Sequence, residues 1–373
     1  MKKILLVATL QSHIAQFHKP LIKMLQQLGC QVDVAARNNL AQKNNLTLTE
    51  ANVIYDVPFD RSPYSLKNIR AYKTLKGIIN SGEYDVIHCN TPVGGILTRL
   101  AARWCRKKGQ CKVIYEAHGF HFFKGGSLIN WVLWYPVECF FSRFTDILIT
   151  INKMDYDLAS KRFLKTSVKY IPGVGVNLEQ FLRVESRANL KDEIGISKED
   201  LIILSVGELN KNKNQQVIIK ALSKISNEHV HYCLAGNGPR LKNLQKLSVK
   251  MGVKERVHFL GYRRDLVDIY KSADIFVLPS KREGLGMAAI EAMACGLPIV
   301  TSDRQGINDY SIDGLTGYKC SSNDVAGFAE CIKKLIDNST LRENMGRYNM
   351  QLSQKFNLSA AMEALMKVYS EII

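Results

Sequence analysis

The cysteines of this chain never come as Cys-x-x-Cys. Nine of them (Cys30, Cys89, Cys105, Cys111, Cys139, Cys233, Cys295, Cys320 and Cys331) are scattered and odd in number. That argues against a disulfide framework or a thiolate zinc site and suits a reducing compartment. Long apolar runs are missing too: no stretch reaches the roughly 20 residues that cross a bilayer. The first run, Ile4–Leu10, gives way to polar Gln11-Ser12-His13 with no small-residue cleavage site. A buried first β-strand fits it better than a secretory signal. Acidic residues are scarce, 34 Asp+Glu against 51 Lys+Arg, for a formal net charge of +17. Residues 1–172 hold 24 basic and 11 acidic side chains, and residues 173–373 hold 27 and 23. The basicity therefore lives in the first half, where it can face nucleic acid, an anionic membrane, or solvent alone.

What is present is a globular composition, 46% hydrophobic and 23% charged, in a chain of 373 residues. That length exceeds what one core usually organises, so two domains are expected. Short β-branched runs alternate with helical patterns, the signature of parallel sheets with crossover helices. Strands are expected at 3–9, 31–36, 53–57, 85–89, 112–117, 146–150 and 168–171, then at 201–206, 231–235, 257–260, 275–279, 298–302 and 317–320. Helices are expected near 15–28, 66–80, 94–108, 128–141 and 154–163. Pro172-Gly173-Val174-Gly175-Val176-Asn177 is punctuated like a hinge. The prediction is an α/β chain of two doubly wound domains, 1–172 and 173–357, facing each other across a cleft. A last helix, 358–373, should pack back on the first domain. Ligands of such sheets sit beyond the carboxyl ends of the strands, so the strand-to-helix loops are where chemistry should lie.

Four loops of the second half stand out. After strand 275–279 comes Lys281-Arg282-Glu283-Gly284-Leu285-Gly286-Met287, and then a helix holding Glu291. Glycines there let the backbone approach a ligand, and the helix start offers N–H groups to phosphates. A carboxylate accepts two hydroxyls of a ribose or hexose, although a surface glutamate plus a helix ion pair is the competing reading. Strand 201–206 leads into Gly207-Glu208-Leu209-Asn210-Lys211-Asn212-Lys213-Asn214, whose lysines suit a diphosphate leaving group. Gly236-Asn237-Gly238-Pro239 and Gly261-Tyr262 end two further strands. Each loop alone is a weak signal. Four in one domain are a strong one.

Glu283 and Glu291, with seven residues between them in a glycine-bearing loop followed by Glu-Ala-Met-Ala-Cys-Gly-Leu-Pro, resemble the hallmark of retaining glycosyltransferase family 4. The likeness runs from about Leu201 to Gly317. It implies a GT-B fold, a nucleotide-diphosphate-sugar donor, retention of anomeric configuration, and no metal or other cofactor. It further implies that Glu291 holds the ribose and that the backbone of Gly284, Leu285, Gly286 and Met287 touches sugar and phosphate. The strand end Phe259–Tyr262 would frame the base. Gly207, Glu208, Gly236, Asn237, Gly261 and Tyr262 complete the expected donor set. The expected catalytic residues are His118, whose family counterpart lies beside the transferred sugar, with Lys213 and Glu283. The family pattern Val-Gly-Arg-Leu-x-x-x-Lys-Gly is broken here. Glu208 replaces the arginine and Asn214 the second glycine, so leaving-group neutralisation rests on Lys213 and the helix dipole. Acceptor contacts are expected from Ser12, His13 and Gly119.

His118 and His121 could suggest a metal pair, but no third ligand stands at a useful spacing, and no metal is expected. Arg99, Arg103, Arg106, Lys107, Lys108 and Lys112 cluster around one helix with Trp104 among them. The segment Trp131–Phe141 is rich in aromatics. Together they suit an anionic membrane surface, while the alternative places many of those aromatics in the core. No nucleic-acid module is evident. The expected function is transfer from a UDP-sugar to a lipid-diphosphate-linked saccharide in cell-surface polysaccharide assembly. The protein would be cytoplasmic and peripheral on the inner face of the cytoplasmic membrane. A nucleotide-sugar epimerase on the same fold, or a non-catalytic nucleotide- or nucleic-acid-binding protein, are the rival readings.

Overall fold

A computed structural model describes residues 1–42, 46–183 and 190–373. It forms two compact units, one of residues 1–175 with 359–373 and the other of residues 176–358. The first unit carries β1 (Lys3–Leu10), β2 (Gln31–Arg37), β3 (Ile54–Asp56), β4 (Val86–Asn90), β5 (Lys112–Ala117), β6 (Ile147–Thr150) and β7 (Ser167–Tyr170). The second carries β8 (Leu201–Val206), β9 (Val230–Ala235), β10 (Val257–Gly261), β11 (Ile275–Leu278), β12 (Ile299–Ser302) and β13 (Gly317–Cys320). Both sheets pair in parallel throughout. Their orders are β3-β2-β1-β4-β5-β6-β7 and β10-β9-β8-β11-β12-β13. This is the doubly wound α/β architecture expected from the sequence.

The order follows from what the strands are made of. Ile4–Ala8 and Ile275–Leu278 are essentially buried end to end, as runs of Val, Ile and Leu must be when helices cover both faces of a sheet. Winding outward from β1 in one direction and from β4 in the other leaves a gap between the loops that follow these two strands. The second sheet repeats this between β8 and β11. These are the points where the strand order reverses, and ligands of such sheets settle there.

Three local readings change. The helix expected over 15–28 is two helices, Gln11–Phe17 and Lys19–Gln27, broken at His18 (φ −117°, ψ 3°) with Pro20 in the first turn of the second. Proline suits a helix start, where its missing N–H has no partner to lose. Cys105 and Cys111 are joined as a disulfide, against the expectation from scattered thiols, and the other seven cysteines are free. Arg99, counted in the basic surface cluster, is buried. Its guanidinium meets Glu138 at 2.9 Å, donates through Nε to the Gly95 carbonyl at 3.0 Å, and lies 4.0 Å over the Tyr115 ring.

The C-terminal helix Leu358–Ser370 returns to the first unit, where Nδ1 of buried His88 and the Tyr369 hydroxyl are 2.8 Å apart. No helix among the described residues is long and apolar enough to cross a membrane.

Removing one partner of a buried ion pair leaves an uncompensated charge, which costs about 3–5 kcal/mol. Arg99→Ala should lower unfolding free energy in denaturant titration by that amount. The double replacement Arg99→Met, Glu138→Met should recover most of it. Equal losses in single and double variants would contradict the pairing.

Candidate functional site

Each reversal point carries one cluster. In the second unit the loop after β8 and the loop after β11 meet there. Lys213 Nζ lies 2.7 Å from Glu283 Oε1, with both side chains partly exposed. Lys213 sits against Gly207, whose backbone (φ +140°) has no side chain to push it away. An ammonium has three donors, so pairing with Glu283 leaves two for a ligand. Glu291 stands on the next helix, Met287–Ala294, accepting from the Tyr270 hydroxyl at 2.8 Å. Burial pushes its carboxyl upward, while Tyr270 and the Lys213 charge oppose that rise.

Asn214 explains the missing second glycine. It adopts φ +58°, the left-handed region that asparagine tolerates better than most residues. Its amide donates to the carbonyls of Ser322 at 2.6 Å and Pro279 at 3.3 Å. The residue thus supplies the turn a glycine would supply and also ties the loop to the end of β11. Glu208 is exposed and accepts from Asn210 at 3.0 Å. The other predicted donor residues line up beside this loop. Gly236 N–H donates to the Gly261 carbonyl at 2.7 Å, and Leu209 N–H to the Asn237 carbonyl at 3.0 Å. Any side chain on Gly236 would strike the Gly207 carbonyl. Gly286 (φ +85°) precedes the helix that Met287 opens, and the Gly284 carbonyl packs on Gly306. Leu285 is buried. Tyr262 is exposed just past β10, the edge strand.

In the first unit a cavity of about 420 Å³ opens between the loops after β1 and β4, lined by Thr9, Ser12, His13, Arg61, Thr91 and Trp134 among others. Ser12 and His13 were expected near an acceptor; Gly119 (φ +104°) turns the chain after β5 and does not line the cavity. Ser12 is fixed by Asn39, which accepts from its N–H at 3.0 Å and donates to its hydroxyl at 2.9 Å. The Thr9 and Thr91 hydroxyls meet at 2.7 Å. Thr91 holds φ +65°, an outlying conformation for a β-branched residue and a frequent mark of functional strain. Trp134, read from sequence as a membrane aromatic, instead faces this cavity and stacks on His121 at 4.7 Å.

Beside the cavity, three histidines surround one buried carboxylate. Glu116 lies 3.1 Å from His118 Nε2, 3.3 Å from His88 Nε2 and 3.7 Å from His18 Nε2. His118 also contacts Asn90 Oδ1 at 3.2 Å. Burial alone would raise the Glu116 carboxyl, but the adjacent imidazoles of His118, His18 and His88 hold it well below the usual range. Burial, and then the neighbouring His118 and His18, push His13 well below its ordinary value. Sequence gave no sign of this cluster beyond the separate histidines.

The sequence also holds one Asp-x-Asp spacing, Asp155-Tyr156-Asp157, the pattern of metal-dependent transferases. Asp155 lies in the first turn of helix Lys153–Arg162, which Asn152 caps: it is fully buried, accepting from Phe120 N–H at 2.9 Å and from the Asn152 amide at 2.9 Å. It is thereby engaged in local structure.

Comparison with known proteins matches residues 3–152 to the model "Glycosyl transferase 4-like" and residues 186–352 to "Glycosyl transferases group 1". The chain is 36% identical over 375 residues to "Putative glycosyltransferase EpsD" of Bacillus subtilis (strain 168), covering 99% of this chain and 96% of that one. It is 26% identical over 316 residues to the Escherichia coli "UDP-Gal:alpha-D-GlcNAc-diphosphoundecaprenol alpha-1,3-galactosyltransferase", covering 83% and 81%. The solved structure of Anabaena HepE in complex with UDP superposes with a TM-score of 0.77 at 18% identity over 100% of both chains. That likeness shows the fold, GT-B, with its two Rossmann-like domains.

A histidine whose proton affinity is depressed in the folded state lets the unfolded chain bind more protons below its ordinary pKa of about 6.5. His13 therefore costs stability as pH falls below that value. The depressed Glu116 contributes stability that is lost only further down, through the carboxylate range. Melting temperature should decline between pH 7 and 5, and His13→Gln should flatten that decline. An unchanged slope would contradict it.

Proposed function

The chain belongs to the group 1 and 4-like glycosyltransferases, and on that premise we propose that it moves a sugar from a UDP-sugar to a lipid-diphosphate-linked saccharide. The observation that carries the donor half is the Lys213–Glu283 pair at the reversal point of the second sheet, with Glu291 on the following helix. A fixed cation beside a helix start stabilises charge growing on a departing diphosphate. Glu291 holds the ribose, the Gly284–Met287 backbone meets sugar and phosphate, and Gly261–Tyr262 frames the base. His118 bonds the transferred sugar and Glu283 its hydroxyls. Transfer proceeds with retention, by front-side attack: the acceptor hydroxyl bonds to the anomeric carbon as the bond to the diphosphate breaks, and its proton passes to the leaving oxygen. No metal is needed, because Lys213 and backbone N–H groups carry the neutralising role.

The acceptor half rests on the first unit's cavity. Its hydroxyls and imidazole suit sugar hydroxyls, the Trp134–His121 stack offers an aromatic face to a sugar ring, and Arg61 offers a cation to a diphosphate. The helix that presents Trp134, Leu128–Ser142, also exposes Leu128, Ile129, Val132 and Leu133. That apolar face suits lipid, and the neighbouring helix adds exposed Trp104, Lys107 and Lys108 and the partly exposed Arg103. Arg106 is tied to Asp146 at 2.9 Å and contributes less. The protein is thus cytoplasmic and peripheral on the inner face of the membrane, serving surface polysaccharide assembly. Neither the epimerase nor the nucleic-acid reading accounts for the cavity and the exposed aliphatic helix together.

A panel of UDP-, GDP- and ADP-sugars with a synthetic lipid-diphosphate saccharide tests the reading. Transfer should occur with a UDP-sugar and persist in EDTA. Lys213→Ala should lower turnover by about two to three powers of ten. Full activity in that variant, or activity only with added magnesium or manganese, would contradict the mechanism. Arg103→Glu, Lys107→Glu and Lys108→Glu together should release the protein from anionic vesicles while sparing transfer to a short soluble acceptor. Retained vesicle binding would place the docking face elsewhere.

A further inference from the structure

The cluster beside the first unit's cavity holds more imidazole than sugar transfer uses. His13, His18 and His118 each present a ring nitrogen, and these three nitrogens lie within 4.8 Å of one another. The residues come from three separate places: one helix after β1, the break before the next helix, and the loop after β5. Their rings pack face to edge or tilted, with centroids 4.7 Å apart for His13 and His118, 5.3 Å for His13 and His18, and 5.8 Å for His18 and His118. His13 Nε2 and His18 Nδ1 are buried and have no hydrogen-bond partner among the described residues. Leaving a buried polar nitrogen unmatched costs free energy, and two such nitrogens on neighbouring rings ask for a shared partner.

The rear of the cluster is built as a metal site is built. Glu116 lies 3.1 Å from His118 Nε2 and 3.7 Å from His18 Nε2. A carboxylate behind an imidazole fixes its tautomer and leaves the other nitrogen as the ligand. We infer that His13, His18 and His118 form a binding site for one zinc-class divalent ion at the wall of the acceptor cavity. Three imidazoles select such ions over magnesium or calcium, which prefer oxygen. Zinc–nitrogen bonds of ~2.0–2.1 Å in tetrahedral geometry require the rings to draw together from their present spacing. His13 lines the cavity, so the fourth position is open to water or to a ligand oxygen.

The consequence rests on the proposed function. An ion held by His118 withdraws that imidazole from the transferred sugar, so zinc inhibits an enzyme that needs no metal to work. The site is then regulatory, and all three of its ligands come from the first unit.

The test uses the full chain, stripped with chelator and dialysed. Titration with Zn2+ against a chromophoric chelator should give one ion per chain, and Co2+ should give the visible bands of a tetrahedral nitrogen site. His18→Gln and His13→Gln should each weaken Zn2+ binding at least tenfold with the metal-free melting temperature recorded alongside. Magnesium should not compete. No binding, or binding equally tight in both variants, as a site on the free cysteines would give, overturns the proposal. Sugar transfer by the parent chain should fall on adding Zn2+ and return with chelator, and His18→Gln should resist the inhibition. A bound ion without inhibition would overturn the regulatory role and count against the place given to His118, while leaving the measured site intact.

Discussion

Everything in this molecule that resembles chemistry depends on one feature of parallel sheets. When strands are laid down outward from the middle in both directions, two neighbouring strands send their following loops to opposite faces. The loops after β1 and β4 part in the first unit, and those after β8 and β11 part in the second. Such a parting opens a space beside a sheet whose two faces are sealed by helices. The Lys213–Glu283 pair stands at one opening, and the Thr9–Thr91 contact with its cavity at the other. Residues too polar for the core gather at both because these are the places where a buried sheet can still be reached.

The two units use that opening differently. The second gives backbone, glycines at Gly207, Gly236 and Gly286 and a helix start, around the charged set of Lys213, Glu283 and Glu291. The first gives side chains, and it carries its ionisable groups unusually deep. Glu116 is fully surrounded by imidazoles, and Arg99 is closed in against Glu138. A buried ion pair is weak support for stability, but removal of either partner is costly, so such pairs hold neighbouring elements to one arrangement. The Arg99–Glu138 pair joins helix Pro92–Lys107 to helix Leu128–Ser142, and the second of these places Trp134 in the cavity.

Much of this could be read along the chain, and the rest could not, for physical reasons. Strands of a covered parallel sheet are nearly continuous Val, Ile and Leu, so β1, β8 and β11 announce themselves. The Glu283–Glu291 loop is legible because strand, turn and helix are contiguous. The cavity is not: it takes residues from five separate segments of the chain, and Trp134 looks the same in sequence whether it meets lipid, core or a sugar. Arg99 reads as surface because its partner lies 39 positions away. Histidines at 13, 18 and 118 become a cluster only after folding, and their failure to form a local metal motif concealed it. Asn214 looked like a defect in a glycine pattern until its backbone angle showed that it fills the glycine's place.

Hydrogen–deuterium exchange of the full chain with and without UDP tests most directly whether the reversal point of the second sheet is the nucleotide site. UDP should slow exchange in residues 207–215 and in 280–291 together, because the two loops share the ligand. Slowed exchange confined to the first unit's cavity loops, or to neither loop of the second unit, would contradict it.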